Sequence, residues 1–315
     1  MFAARCLGVS LAVFVLLYVS LSLAVGRGWK LAWRIFKPRL ASGSADLLFV
    51  LRILPFTLSC AFTLAFTLPS FLLLEPRGTD EAIGTAPIAL GLCCLALFTI
   101  GTLRAYAAQL RTSRAMAEWL SGASVMESGP EATVLQTGKH SPSLTVAGVC
   151  APKVLVSEDA VATLTASELR TALRHEMAHV RRYDNLKKLL FRLSVFPGMK
   201  HLERAWSEEA EIAADDAAVS SFRDALDLAA ALIKVSRLGP IQASAELATG
   251  LLHSSTALST RIQRLFAWDK TQVQQPRHLR WRYALAPAAA TVICLFFSYS
   301  SVLTQMHAVT EWLVR

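Results

Sequence analysis

The sequence has 315 residues, of which 54% are hydrophobic and 17% are charged, and its formal net charge is +9. Soluble globular chains hold about 45–50% apolar and about 25% charged residues. The apolar excess argues against an ordinary soluble protein and predicts membrane segments beside one folded domain. Since the cytoplasmic flanks of membrane helices collect Lys and Arg, membrane topology accounts for the positive charge, and we expect no direct nucleic-acid partner.

Four apolar runs are long enough to cross a bilayer as helices, which takes about 20 residues each. They cover about residues 6–25, 53–74, 86–103 and 283–303. The first run could also be read as a signal peptide, but its strong positive flank follows the run rather than preceding it, which favours a span. Arg52, at the edge of the second run, is expected to snorkel to the lipid headgroups.

The charges of the connecting loops orient these spans. Lys and Arg dominate the loop after the first run and flank the long segment after the third, whereas acidic residues dominate the loop between the second and third runs. The positive-inside rule then places the N-terminus outside and residues 104–282 in the cytoplasm. We expect a membrane region over 1–103, a cytoplasmic domain over 104–282, and a fourth span with a short tail over 283–315.

The segment 104–282 changes from β-like to helical character along the chain. The sequence predicts short strands separated by Gly and Pro, at Ala132–Gln136, Leu144–Ala147 and Val154–Val156. Thr165 and Glu168 form a T-x-x-E capping box, which predicts a helix running to about Tyr183. Two further helices are predicted, over about Leu202–Ser220 and Ala225–Leu238.

An H-E-x-x-H motif, made by His175, Glu176 and His179, lies inside the first of these helices. Positions i and i+4 lie one above the other on a helix, so both imidazoles can reach one metal ion. Glu176 projects beside them, where it can accept a proton from water. The motif predicts a zinc peptidase site, although two histidines on an ordinary helix surface would give the same letters.

A catalytic zinc also needs a third protein ligand and an open position. The next helix offers E-I-A-A-D, in which Glu211 and Asp215 are again four residues apart. One carboxylate would bind the metal while the other orients an imidazole. The spacing to Asp215 favours Glu211 over Glu208 and Glu209, which are expected to be solvated.

This combination of motifs resembles the M56 family of antirepressor-like membrane metallopeptidases, which is related to the M48 gluzincin peptidases. The matching pieces read "VLVSEDAVATLTASELRTALRHEMAHVRRYD", "FPGMKHLERAWSEEAEIAADDAAV" and "STRIQRLF". They cover about residues 125–265, and the topology is similar over nearly the whole chain. The resemblance implies a mostly α membrane protein of a bacterial inner membrane. It would have four transmembrane helices and a cytoplasmic gluzincin-type zinc peptidase domain of helices plus a small β-sheet.

The resemblance also implies roles for individual residues. It implies one Zn²⁺ per chain, with the ligands His175, His179 and Glu211. Glu176 would be the general base, Asp215 would orient a ligating imidazole, and Asp184 would have a supporting role.

Two features depart from the family pattern. Only Gln305 to Arg315 follow the fourth run, so we expect no extracytoplasmic sensor domain, and direct antibiotic sensing is not implied. M48 relatives carry a His-Pro pair before the arginine that corresponds to Arg261. Here His253 is followed by serine, so the resemblance gives His253 no role in the transition state.

The expected function is a zinc endopeptidase that cleaves a protein or peptide on the cytoplasmic side of the bilayer, in signalling through a repressor-like substrate. A separate sensor protein is a candidate partner. The edge strand near Leu144–Ala147 is expected to hold the substrate as an added strand. The alternatives are quality control of membrane proteins and a non-catalytic membrane scaffold. Glu176 argues against the scaffold, because a structural zinc site needs no base.

Overall fold

The computed structural model describes residues 2–36, 44–75, 84–138, 141–238, 248–250, 255–268 and 299–311. Its membrane region begins with helices α1 (Phe2–Phe36) and α2 (Ser44–Phe62). A π-helical turn (Thr63–Thr67) joins α2 to α3 (Leu68–Leu74), and α4 covers Thr85–Trp119. Within the described residues, three helical stretches are long and apolar enough to cross a membrane, at Phe2–Ile35, Ser44–Leu74 and Thr85–Trp119.

These helices contain the first three predicted spans and extend beyond them. The second begins at Ser44, well before the predicted start at residue 53, and the third continues past Arg104 to Trp119. Charged residues near helix ends cut the apolar runs short in the sequence, but they do not end the helices. Most of the fourth predicted span, 283–303, lies outside the described residues. Residues 299–311 are helical, and the Tyr299 hydroxyl donates to the Ala65 carbonyl at 2.9 Å.

A small mixed sheet follows α4 directly. Its strands are β1 (Ser124–Ser128), β2 (Thr133–Thr137), β3 (Leu144–Ala147), β4 (Lys153–Ser157) and β5 (Ala248–Gly250). The spatial order is β1-β2-β4-β3-β5, with β2 and β4 parallel and the other pairs antiparallel. The three predicted strands are confirmed within one residue at each end. No local pattern in the sequence predicted β1, which is exposed throughout, or the three-residue β5.

The expectation that β3 is an edge strand is wrong. Its far side pairs with β5, with Thr145 opposite Gly250 and Ala147 opposite Ala248. The strand that covers it comes from a stretch about 100 residues later, beyond the reach of local sequence patterns. Among the described residues, β1 and β5 are the edges of the sheet.

Six helices complete the domain. They are α5 (Glu158–Thr163), α6 (Ala166–Arg181), α7 (Asp184–Leu193), α8 (Lys200–Ala218), α9 (Phe222–Arg237) and α10 (Ser255–Phe266). The capping box at the start of α6 is confirmed: Thr165 Oγ1 accepts from the Glu168 N–H, and the Glu168 carboxylate accepts from the Thr165 N–H at 2.8 Å. The core lies between one face of the sheet and helices α6 and α9, with fully buried Leu144, Val154 and Leu228 among its members.

Helix α2 packs along α8 through a junction that is partly apolar and partly charged. Leu48 packs in one cluster with Trp206 and Ala210 of α8. Arg52 is 2% exposed, and its guanidinium donates to Glu203 at 2.9 Å and to the Ser194 carbonyl at 2.7 Å. The expectation that Arg52 snorkels to the headgroups is therefore wrong, because α8 supplies an acidic partner that the local sequence around Arg52 does not reveal.

Candidate metal centre

Helix α6 carries both histidines of the H-E-x-x-H motif on its buried face. His175 and His179 are 0% and 2% exposed, and their Nε2 atoms lie 3.2 Å apart. Because the two residues are one turn apart, both rings reach the same point between α6 and α8. The helix begins at its capping box and ends at Arg181, so the motif lies in its regular interior.

Helix α8 brings a carboxylate to the same point. The Glu211 oxygens lie 3.5 Å from His175 Nε2 and 3.7 Å from His179 Nε2. One ligand atom from each of these residues falls within 4.8 Å of the other two. Ala210 and Ala214 are buried, and such small side chains permit close packing of the helix.

The remaining nitrogen of each imidazole faces its own carboxylate. His175 Nδ1 lies 3.0 Å from Asp215, and the Nδ1–H of His179 donates to Asp184 at 2.7 Å. Tyr183 adopts a left-handed conformation with φ of 54°, and this sharp turn starts α7 at Asp184. Carboxylates in these positions favour the tautomer that would leave Nε2 free to bind a metal.

Arg261 of α10 ties the carboxylates of α8 together. It is 4% exposed, donates to Asp215 at 2.6 and 2.8 Å, and lies 3.0 Å from Glu211. The sequence placed Arg261 in a family motif but gave it no role. The distance along the chain hides its partners, so the resemblance to an arginine of related peptidases was the only available signal.

Glu176 differs from every other carboxylate in the centre. It is fully buried, and neither of its oxygens accepts a hydrogen bond from any residue that the structure describes. Burial raises the pKa of Glu176 to about 7, against the opposing effect of His175 and His179. A carboxyl with this pKa can gain or lose a proton near neutral pH.

At Glu211 and His175, neighbouring charges outweigh the effect of burial on the pKa. Burial alone would raise the pKa of Glu211, but His179, His175 and Arg261 hold it well below its usual range. Burial would lower the pKa of His175, yet Asp215 and Glu211 raise it to about 9. Two nitrogens and one ionised carboxylate, converging in a buried space, form a donor set that suits zinc.

The neighbouring charges fall into two groups. Glu208 is exposed, as expected, and accepts from Arg204, whereas Glu209 is buried and accepts from the Ser44 hydroxyl at 2.7 Å. The expectation of a solvated Glu209 is wrong, because α2 covers that face of α8. Lys188, half-buried on α7, was not predicted to lie near the centre. Burial lowers its pKa to about 8, although Glu211, Asp184 and Glu176 oppose this shift.

The structure thus brings together all six residues that the sequence singled out: His175, Glu176, His179, Asp184, Glu211 and Asp215. The family model described as BlaR1 peptidase M56 matches residues 88–265 of the chain. No curated protein and no solved structure matches the chain. The matched range is more than half of the sequence and includes the sheet, α6 and α8. The chain therefore belongs to the M56 peptidase family, whose members are membrane-associated metallopeptidases.

Proposed function

We propose that this protein is a zinc-dependent endopeptidase, in which His175, His179 and Glu211 hold the metal and Glu176 is the general base. The observation that carries the proposal is the contrast between Glu176 and its neighbours. The other carboxylates of the centre lie against an imidazole or an arginine, while the oxygens of Glu176 accept nothing from the described residues. An unpaired buried carboxylate is costly, and an active site is where such a cost is commonly tolerated.

Zinc held at this centre would supply Lewis acidity toward a peptide carbonyl and toward water. Asp215 and Asp184 would keep the two imidazoles in the ligating orientation. Arg261 would hold Glu211 and Asp215 in place and offset their negative charge. Glu176 would accept the proton of the attacking water and deliver it to the leaving amine, a role that suits a pKa near 7.

The substrate would be a protein on the cytoplasmic side of the membrane, with a repressor-like regulator as the preferred candidate. Two features support a site held close to the bilayer. Helix α4 continues from its apolar stretch almost directly into β1, and α2 packs along α8, which carries Glu211. A peptidase anchored in this way could pass a membrane signal to a soluble regulator.

Activity is tested with the full-length chain in lipid nanodiscs, using a peptide library that reports endoproteolysis. We expect hydrolysis by the wild type, loss on chelation, recovery on adding zinc, and no activity in Glu176→Gln. Glu208→Gln is the matched control, because it makes the same chemical change at an exposed position of α8. Activity that persists in Glu176→Gln would contradict the proposal.

The substrate class is tested in cells that produce the wild type or Glu176→Gln. New protein N-termini that depend on Glu176 are identified by mass spectrometry. Cleavage of a soluble DNA-binding regulator supports the signalling assignment. Cleavage of membrane proteins without such a regulator would contradict it and favour quality control.

A further inference from the structure

Three arginines converge where α4 leaves its apolar stretch. Arg104 and Arg111 of α4 and Arg192 of α7 line a single cavity of about 280 Å³, together with Leu103 and Ala107. Arg104, Ala107 and Arg111 follow one another at helical spacing on one face of α4. The small side chain of Ala107 leaves space between the two arginines.

The cavity lies at the expected level of the lipid headgroups. Residues 85–103 of α4 contain no charged side chain, and Arg104 is the first charge after them. These 19 residues would span about 28 Å as a helix, close to the roughly 30 Å of a bilayer's hydrocarbon core. Arg104 therefore comes at the boundary where phosphate groups lie.

The third arginine is held there by tight packing of α7 on α4. A Cβ atom built at Gly101 would lie 2.1 Å from the Leu193 carbonyl oxygen, so glycine is required for this contact. Arg192 directly precedes Leu193, so this contact brings the backbone of Arg192 close to α4. The pocket thus lies between two helices that are in close backbone contact at Gly101.

We propose that this pocket, defined by Arg104, Arg111 and Arg192, binds the phosphate group of an anionic phospholipid such as phosphatidylglycerol. Guanidinium groups match phosphate oxygens in geometry and in charge. Basic pockets between helices at a membrane boundary commonly receive anionic headgroups. The same phosphate chemistry exists in soluble anions, but the position beside Leu103 at the end of a span favours a ligand that also has acyl chains.

Headgroup binding would also bear on the metal centre through α7. This helix has Arg192 near one end and Asp184, which accepts from His179, at the other. A bound lipid would hold α7 against α4 and so keep Asp184 in place. The lipid site itself does not depend on peptidase activity.

The test is native mass spectrometry of the full-length protein in neutral detergent, with added phosphatidylglycerol, phosphatidylcholine or inorganic phosphate. We expect the wild type to retain one phosphatidylglycerol in preference to phosphatidylcholine, and to show no comparable affinity for inorganic phosphate. Arg104→Gln and Arg192→Gln should each weaken lipid retention about tenfold. Arg104 is exposed, so its variant gives a result even if Arg192→Gln fails to fold.

Arg114→Gln is the matched control, because it removes the same charge from α4 without touching the pocket. It should retain the lipid within about twofold of the wild type, if general surface attraction is small. An equal loss in Arg114→Gln would mean unspecific attraction to the membrane surface and overturn the proposal. Equal affinity for inorganic phosphate would overturn the lipid assignment. Zinc content is measured on the same samples, so that a failure of the lipid proposal can be distinguished from a failure of the proposed metal centre.

Discussion

The metal centre and the α2–α8 junction both place charged side chains away from water, yet they differ in how those charges are satisfied. At the junction, the Arg52 guanidinium donates to Glu203, to the Ser194 hydroxyl and to backbone oxygens, which leaves a closed set of partners. At the metal centre, the Glu176 oxygens accept nothing from the described residues. Burial of charge alone therefore does not identify a functional site, whereas a buried carboxylate that accepts nothing from the described residues and lies beside two imidazoles is the pattern expected of a catalytic base.

The comparison predicts different consequences for mutation in the two regions. Substitution of Glu176 should remove activity with little loss of stability, because its carboxylate accepts nothing from the described residues. Substitutions at the junction should lower stability and leave the metal content unchanged, because its charges stabilise the packing of α2 on α8.

The largest effects are expected at the ligands and at Glu176. His175→Ala and His179→Ala should abolish stoichiometric zinc, whereas Glu176→Gln should retain zinc and lose activity by about 10²–10⁴-fold, as expected for a general base. Zinc is measured by atomic absorption and activity by peptide hydrolysis. His201→Ala, at an exposed position of α8, is the control and should change neither quantity. Loss of zinc in Glu176→Gln as complete as in the histidine variants would show that Glu176 is a ligand instead.

The carboxylates that support the imidazoles should have intermediate effects. Asp215→Asn and Asp184→Asn should each weaken zinc binding about 10–100-fold, because each imidazole loses the charged acceptor that fixes its tautomer and raises its basicity. Competition with a chromogenic chelator measures the affinity. Asp216→Asn is the matched control on the same helix, since Asp216 pairs with Arg264 away from the centre. An equal loss in Asp215→Asn and Asp216→Asn would point to damage to α8 rather than to metal support.

At the junction, Arg52→Met should destabilise the protein by about 2–4 kcal/mol, because it leaves Glu203 and the Ser194 carbonyl without their donor. Glu203→Gln should cost less, since Glu203 keeps access to water with 29% of its side chain exposed. Thermal unfolding of the full chain in detergent measures both changes. Loss of zinc from folded Arg52→Met would contradict the distinction between the two regions.

The smallest effect is expected at the capping box of α6. Burial alone would raise the pKa of Glu168, but Lys234 and Thr165 lower it, so the charged form is favoured in the folded state. Its contribution is fully present above the carboxyl's ordinary pKa of about 4.5 and is lost as pH falls below it. Glu168→Gln should cost about 1 kcal/mol at pH 7 and less at pH 3. Thermal unfolding at both pH values measures this difference, and a cost that is the same at both would contradict the charged-state explanation.

The sequence predicted those parts of the molecule that depend on local spacing. The capping box at Thr165 marked the start of α6 within one residue, and the four-residue spacing of His175 and His179 determined their shared face. The four-residue spacing of Glu211 and Asp215 likewise selected both carboxylates that the structure brings to His175. Helical periodicity is sufficient for such inferences, because it relates side chains within one or two turns.

The parts that the sequence did not predict depend on partners far along the chain. Arg52 donates to Glu203, Glu209 accepts from Ser44, and β3 pairs with β5. In each case the two partners are about 100 or more positions apart in the sequence. The environment predicted for each of these residues rested on the hydropathy of its neighbours in the sequence. Their actual environment is decided by how α2 lies on α8 and by which segment completes the sheet.

The central claim is that two imidazoles of α6 and one carboxylate of α8 hold a zinc ion, and that the Glu176 carboxylate beside it is the general base. X-ray absorption at the zinc K edge of the full-length protein tests it most directly. We predict one zinc per chain with only nitrogen and oxygen neighbours, including two imidazoles, an unchanged spectrum in Glu176→Gln, and a changed one in Glu211→Gln. Sulfur neighbours, a single imidazole, or a spectrum that responds to Glu176→Gln but not to Glu211→Gln would contradict the account.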